Sequence, residues 1–348
     1  MAKVDELITQ LNKDGKFDLF SKGLATYSGE KIPFTSPRMN YLTHGGIPEH
    51  KIIEFLGVEH GGKTTSGLDQ VRQFQEKENR KAELDPKYVK RSAFWFDIEN
   101  ALDTEWAVKM GVDVDSMYYF HAEEQSAEEI FDFIKQIIKT GDIGYFVLDS
   151  IAAMVSDDEL KKDFSDKSFG GVSGPLSRFS KELSGLTSKY NCTFLGLNQV
   201  RDDINSTWGG YKTPGGRTWK HMCAVRLDFR KGKFIDENGK EVANNTENPN
   251  GTIIACTMVK NRHCPPDRRV GFYTLNWNGI DYIADLVEVA IKVGVIEEVT
   301  KAYFQIKDLE TDEYLTSKIH GQHSVEDFLT ENEEICKRVE EQVNERIA

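Results

Sequence analysis

The residues with the most chemical potential lie in one stretch, Ile52-Ile53-Glu54-Phe55-Leu56-Gly57-Val58-Glu59-His60-Gly61-Gly62-Lys63-Thr64-Thr65. From Gly57 to Thr64 it fits G-x-x-x-x-G-K-[ST], the P-loop pattern for phosphate binding. Gly57, Gly61 and Gly62 let the backbone curl, so that N–H groups from Val58, Glu59, His60 and their neighbours point inward at a polyphosphate. The helix expected next presents its partly positive N-terminus to the same anion, with Thr65 in its first turn. Lys63 can reach the β- and γ-phosphates, and the Thr64 hydroxyl can ligate Mg²⁺. A chance glycine turn would not need the apolar strand before it and the helix after it, and the pattern predicts both.

Two carboxylates belong with this loop. Asp149 ends the apolar run Tyr145-Phe146-Val147-Leu148 and is followed by Ser150. A strand-end acid downstream of a P-loop can hold Mg²⁺ directly or through water; the competing reading is an aspartate that caps a helix. Glu99 follows the run Ser92–Asp97 and is a candidate base to orient and deprotonate an attacking water.

These groups need a scaffold that brings strand ends together. The spacing predicts a helix from about Thr64 to Asn79, then a charged, solvated connection over 76–91. Ser92–Asp97, Met117–His121, Tyr145–Ser150 and Thr193–Leu197 read as strands, the last leading into Asn198-Gln199. Helical faces over 126–140 and about 176–190 alternate with them. Strands alternating with helices imply an α/β fold, a mainly parallel sheet covered on both faces with ligands at the strands' carboxyl ends. After 200 the pattern changes: 201–220 reads as a long loop, and 222–230, 233–242 and 251–260 as antiparallel edge strands, with Asn238-Gly239 a hairpin turn. A small α+β domain is expected beyond about 281, closing with a capping box at Thr330-x-x-Glu333 and a helix striped by Ile335, Val339 and Val343. Leu7, Ile8 and Leu11 predict a short N-terminal helix.

Composition narrows the class. The cysteines stand at 192, 223, 256, 264 and 336 with no C-x-x-C pair, which argues for a reducing compartment and against a disulfide framework or zinc site. No apolar run reaches transmembrane length and no signal peptide is recognisable, so a cytoplasmic protein with no membrane partner is expected. A net charge of −13 weighs against a general nucleic-acid coat but permits a local basic groove.

From Lys31 to about Leu275 the chain resembles the RecA family of recombinases, in its bacterial or phage UvsX-type form. The resemblance is carried by Gly57–Thr65, Asp97-Ile98-Glu99-Asn100-Ala101-Leu102-Asp103, Met110-Gly111-Val112-Asp113, Leu148-Asp149-Ser150-Ile151-Ala152-Ala153, Asn198-Gln199-Val200-Arg201, Val225-Arg226-Leu227-Asp228 and Met258-Val259-Lys260-Asn261-Arg262. The terminal domain is similar too, most clearly from Val325 to Ile347. Generic P-loop ATPases share only the first and fourth of these motifs.

The resemblance implies a RecA-like P-loop ATPase core over 31–280, between an N-terminal helix and tether (1–30) for inter-subunit docking and a small C-terminal domain (281–348). It implies a DNA-dependent ATPase that uses ATP and Mg²⁺, forms helical filaments on single-stranded DNA and exchanges strands with homologous duplex DNA, aided by single-strand-binding and loader proteins. By position, Glu99 matches the catalytic glutamate, Asp103 and Trp106 the adenine contacts, and Gln199 the glutamine that senses the γ-phosphate. Lys260 and Arg262 match two basic residues that reach the neighbouring subunit's ATP. Two loops would face DNA. The first, about 157–174, carries Lys161, Lys162, Lys167, Gly170 and Gly171, with Arg178 beyond it. The second, about 200–218, carries Arg201, Trp208, Gly209, Gly210, Lys212, Gly215, Gly216 and Arg217. Glycines permit close backbone approach, cations meet phosphates and the indole can stack on bases. By composition alone, both could equally be plain surface loops.

Some positions depart from the bacterial pattern. His60 and Gly61 stand where two serines are usual, and Asn100 and Arg262 where a histidine and a lysine are usual. The runner-up readings are another RecA-core motor, such as a hexameric helicase, and an ATP-gated DNA-binding scaffold with little turnover.

Overall fold

The computed structural model describes residue 6 and residues 29–162, 171–202, 211–237 and 239–347. The chain divides into two compact units, Met1–Glu30 and Lys31–Ala348. The predicted N-terminal helix lies outside the described residues apart from Glu6. Every strand among the described residues belongs to the second unit.

A short antiparallel ladder of β1 (Lys31–Ile32) and β2 (Ile47–Pro48) precedes the main sheet. That sheet is built from β3 (Ile52–Gly57), β4 (Ser92–Asp97), β5 (Met117–His121), β6 (Ile143–Asp149), β7 (Thr193–Gln199) and, beyond a two-residue pair β8 (Arg201–Asp202) and β9 (Tyr211–Lys212), β10 (Val225–Ile235), β11 (Glu241–Val242), β12 (Gly251–Asn261), β13 (Val270–Asn276) and β14 (Gly279–Ile280). Its order is β14-β13-β12-β10-β3-β7-β6-β4-β5, with β11 paired to β10. From β10 to β5 neighbouring strands are parallel, and from β10 to β14 they are antiparallel, as the sequence pattern predicts.

Strand alternation sorts the core onto two faces. Ile53, Phe55, Trp95, Tyr145, Val147, Leu195 and Leu197 face the helix Lys63–Leu84 through Leu68, Val71 and Phe74. The intervening Phe94, Phe96, Phe146, Leu148 and Phe194 face the helices Ala127–Thr140 and Ser173–Lys189. Phe94, Phe146 and Phe194 stack in register across β4, β6 and β7, with centroids 4.9 and 5.5 Å apart. Ser126 and Glu129 form a capping box that starts the helix Ala127–Thr140, and Gly141 ends it at φ 83°.

Four local expectations need correction. The strands expected at 222–230 and 233–242 are not separate: one strand runs Val225–Ile235 and pairs with the two-residue Glu241–Val242. The P-loop helix runs to Leu84, so residues 76–84 are helical and not part of the connection. Good helix formers keep the turns going, and the buried Glu78 accepts hydrogen bonds from Tyr88 and Arg91, which pin the returning chain to the helix. Within 201–220, Gly216–Met222 is a helix. The Thr330 capping box is absent: a helix already spans Gln322–Glu331, and the Thr330 hydroxyl donates back to Glu326 O at 2.8 Å. A second helix, Glu333–Ile347, comes next, and both pack with the helix Tyr282–Val293 and the small sheet β15 (Ile296–Thr300), β16 (Tyr303–Ile306) and β17 (Ile319–His320) around a core of their own. Among the described residues no helix is long and apolar enough to cross a membrane.

Asp285 ties this terminal core to the main sheet. It is fully buried, accepts hydrogen bonds from Ser36 Oγ and from Thr274 N and Oγ1, and lies 3.6 Å from Arg38. Burial outweighs those partners and pushes its carboxyl up to about 7. The folded state therefore holds this proton more tightly than the unfolded chain does. Its contribution to stability is complete below pH ~4 and is lost as pH rises towards 7. Asp285→Asn should flatten that part of the profile of melting temperature against pH; an unchanged slope between pH 4 and 7 would refute this.

Candidate nucleotide site and nucleic-acid cleft

The P-loop joins β3 to the helix Lys63–Leu84 at the carboxyl edge of the parallel strands. Its glycines are sterically required. A Cβ on Gly57 would meet Phe229 O at 2.2 Å, because β10 presses its backbone against the loop, and Gly62 caps the helix in the left-handed region at φ 93°. The buried Lys63 ammonium donates to Val58 O at 2.7 Å, folding its side chain back over the loop. Burial lowers its pKa, while Asp149, Glu99 and Glu59 act in the opposite sense.

The acids meet across adjacent strand ends. Register sets Asp97 beside Asp149 and Gly57 beside Gln199. Thr64 Oγ1 donates to Asp149 Oδ2 at 3.3 Å, which places the two expected metal ligands together. Burial, then the nearby Glu99 and Asp97 charges, push the Asp149 carboxyl up to about 7. A carboxylate crowded in this way is a good host for a cation. Glu99 Oε1 accepts from Ser150 Oγ and, at 2.9 Å, from Gln199 Nε2. The peptide between Asp149 and Ser150 is cis.

Asp97, Ser150 and Tyr119 are not among the expected site residues. The buried Asp97 accepts from the backbone of Glu99, Ala101 and Leu102 and from Tyr119 OH, all within 3.0–3.1 Å. It shapes the turn that presents Glu99. The sequence signal for this role is the position of Asp97 at the end of an apolar strand, two residues before an acid.

A cavity of about 500 Å³ opens beside the loop, lined by His60 to Thr65, by Trp106 and by Trp277. Trp106 Nε1 lies 3.3 Å from Thr65 Oγ1, so the indole forms one wall next to the phosphate cradle. Asp103 caps the helix Thr104–Lys109 by accepting from Trp106 N at 3.1 Å; it fixes Trp106 and does not line this cavity.

A second, wider cleft of about 930 Å³ lies between the stems of the two predicted DNA loops. Lys162, Gly171, Arg201, Lys212 and Gly215 line it, together with Glu159 and the turn Ile151–Ala153 that comes after Asp149-Ser150. Gly216 and the exposed Arg217 begin the adjoining helix. Lys161 is exposed and pairs with Asp157 at 3.8 Å. Arg178 falls elsewhere: it pairs with Glu182 at 3.3 Å in a smaller recess beside Phe131 and Lys135. Lys167, Gly170, Trp208, Gly209 and Gly210 lie outside the described residues.

Residues 30–281, which hold both sites, match the RecA N-terminal domain. The chain belongs to the RecA family. It is 29% identical to Protein RecA of Ruminococcus albus over 90% of this chain and 72% of that one. It is 28% identical to Protein RecA of Aquifex pyrophilus over 93% and 85% of the two chains, and 29% identical to that of Thermus thermophilus over 94% and 90%. In this RecA-family core the P-loop, the turn after Asp97, Asp149 and Gln199 meet at the carboxyl ends of neighbouring strands.

The two remaining residues singled out from the RecA resemblance are far from that site. Arg226 of β10 pairs with Glu54 on one side and with Lys260 on the other. Lys260 is therefore level with a residue three before Gly57, roughly 10 Å back along the strand and about as far again across two strand spacings. Arg262 lies further still towards the amino ends. Lys260 Nζ donates to Lys220 O and His221 O, at 2.7 and 2.9 Å, on the last turn of the helix Gly216–Met222.

Proposed function

We propose that this chain is an ATP-dependent recombinase that polymerises on single-stranded DNA, pairs it with homologous duplex DNA and hydrolyses ATP as it does so. The observation that carries the reading is the Gln199–Glu99 hydrogen bond. It joins the acid of the nucleotide site to a residue one step from the root of the second loop, so nucleotide and DNA sites share one strand end.

In this reading the P-loop backbone and Lys63 hold the β- and γ-phosphates, and Trp106 bounds the base. Thr64 and Asp149 would hold Mg²⁺, which neutralises charge on the phosphates. Glu99, aimed by Asp97 and Ser150, orients a water in line with the γ-phosphate and accepts its proton. Gln199 exchanges its bond to Glu99 for one to the γ-phosphate. Lys260 and Arg262, too distant from their own P-loop, act on the nucleotide of the next subunit, so the homo-oligomer is the working form. Lys162, Arg201, Lys212 and Arg217 meet the DNA backbone and leave sequence to base pairing.

Single-stranded DNA should accelerate ATP hydrolysis, and the acceleration should weaken steeply with salt as phosphate contacts release counterions. Steady-state hydrolysis with and without an oligonucleotide, at several salt concentrations, tests this. Equal rates with and without DNA at low salt would overturn the reading.

A further inference from the structure

Glu54 lies in the middle of β3, beneath the P-loop, and its side chain is completely buried. A buried carboxylate is tolerated only when donors surround it. Three converge here from three different elements. Asn198 Nδ2 of β7 donates at 2.8 Å, Trp219 Nε1 of the helix Gly216–Met222 at 2.9 Å, and Arg226 Nε of β10 completes the set. Two of these donors reach further. Asn198 Nδ2 also donates to Pro214 O at 3.1 Å, and Arg226 Nη2 lies 3.5 Å from Thr213 Oγ1. Thr213 and Pro214 are the return limb of the second loop, directly before the helix.

Asn198 and Gln199 are consecutive on one strand, so their side chains project to opposite faces. Gln199 bonds Glu99 on the nucleotide side, while Asn198 holds Glu54 and Pro214 on the other. A displacement of this strand end must therefore act on both contacts. The Asn198 Oδ1 atom is buried without a hydrogen-bond partner. A buried acceptor left unpaired is unfavourable, so the network retains capacity for one more bond in another arrangement.

We propose that Glu54 is a positioning residue for the recombinase. It clamps the return limb of the second loop to the strand end that carries Gln199, so that DNA affinity tracks the state of the nucleotide. The proposal rests on the recombinase function proposed for the chain. A carboxylate that only stabilised the fold would, when altered, lower the melting temperature and leave the nucleotide dependence of DNA binding alone.

The test is titration of a labelled oligothymidylate with full-length protein, in a non-hydrolysable ATP analogue and in ADP. Glu54→Gln removes the charge at nearly constant volume, and Trp219→Phe removes the indole donor together with part of the buried ring. Both should bind the ATP analogue as the wild type does. Both should lose about tenfold or more of the ratio between the two DNA affinities, within the range of couplings between linked sites. If Glu54→Gln does not fold, Trp219→Phe decides alone. Variants that keep the full wild-type ratio would overturn the proposal and leave the recombinase function standing. A wild type whose DNA affinity is the same in both nucleotides would overturn both.

Discussion

Replacing Lys63 with alanine is expected to abolish ATP hydrolysis and strand exchange together. The ammonium is folded over the P-loop, is largely shielded from solvent and has the Asp149, Glu99 and Glu59 carboxylates around it. A γ-phosphate entering this cradle without Lys63 would meet those negative charges uncompensated. Removing a preorganised group that stabilises developing charge costs about 10²–10³ in rate, and the loss of binding adds to it. Lys63→Arg keeps the charge but not the compact donor geometry, and should rescue little. Measured turnover of Lys63→Ala within a few-fold of wild type would remove the P-loop from the mechanism.

Glu99→Gln is expected to separate binding from hydrolysis. The amide matches the carboxylate in size and can still accept from Ser150 Oγ and Gln199 Nε2 through its oxygen, so the turn held by Asp97 should persist. It cannot take a proton from water. General-base catalysis contributes ~10²–10⁴-fold, and hydrolysis should slow by that amount while ATP and DNA binding survive. Single-turnover hydrolysis measured beside nucleotide binding checks both halves. A decrease of less than about tenfold would fall below the range for a general base and point to another group as the one that orients the water.

The parts of this design visible in the sequence are those set by local pattern. Ser92–Asp97 and Met117–His121 are strands with the expected ends, since each is a short continuous apolar and aromatic run, long enough for a buried strand and too short for a helix. The P-loop and its lysine follow from residue types that only a phosphate cradle needs. What escaped depends on contacts between segments far apart in the chain. The stretch 201–220 is rich in glycine, polar and basic residues and reads as loop, yet within Gly216–Met222 Trp219 buries against Glu54 and Lys260 closes the last turn, and those tertiary contacts outweigh weak propensity. Asp103 matched the adenine contact of the resemblance, while its carboxylate is engaged as a helix cap. The strand-end position of Asp97 hints at a role, but what it holds is fixed by three backbone N–H groups and by Tyr119 from the next strand, which converge on it.

The separation between the P-loop and the Lys260–Arg262 pair along the sheet would make a head-to-tail assembly polar. Each subunit would offer phosphates at one end and cations at the other, a head-to-tail contact that does not close on itself unless the rotation happens to close a ring. A row of n subunits would then contain n − 1 completed sites. One terminus would carry a nucleotide that no neighbour helps to cleave, and the opposite terminus a basic pair with nothing to act on. The two ends should differ in how long they hold ATP, and so in how readily they gain and lose subunits. Turnover per subunit should climb with oligonucleotide length towards a plateau as (n − 1)/n; a rate per subunit independent of length would mean that each subunit completes its own site.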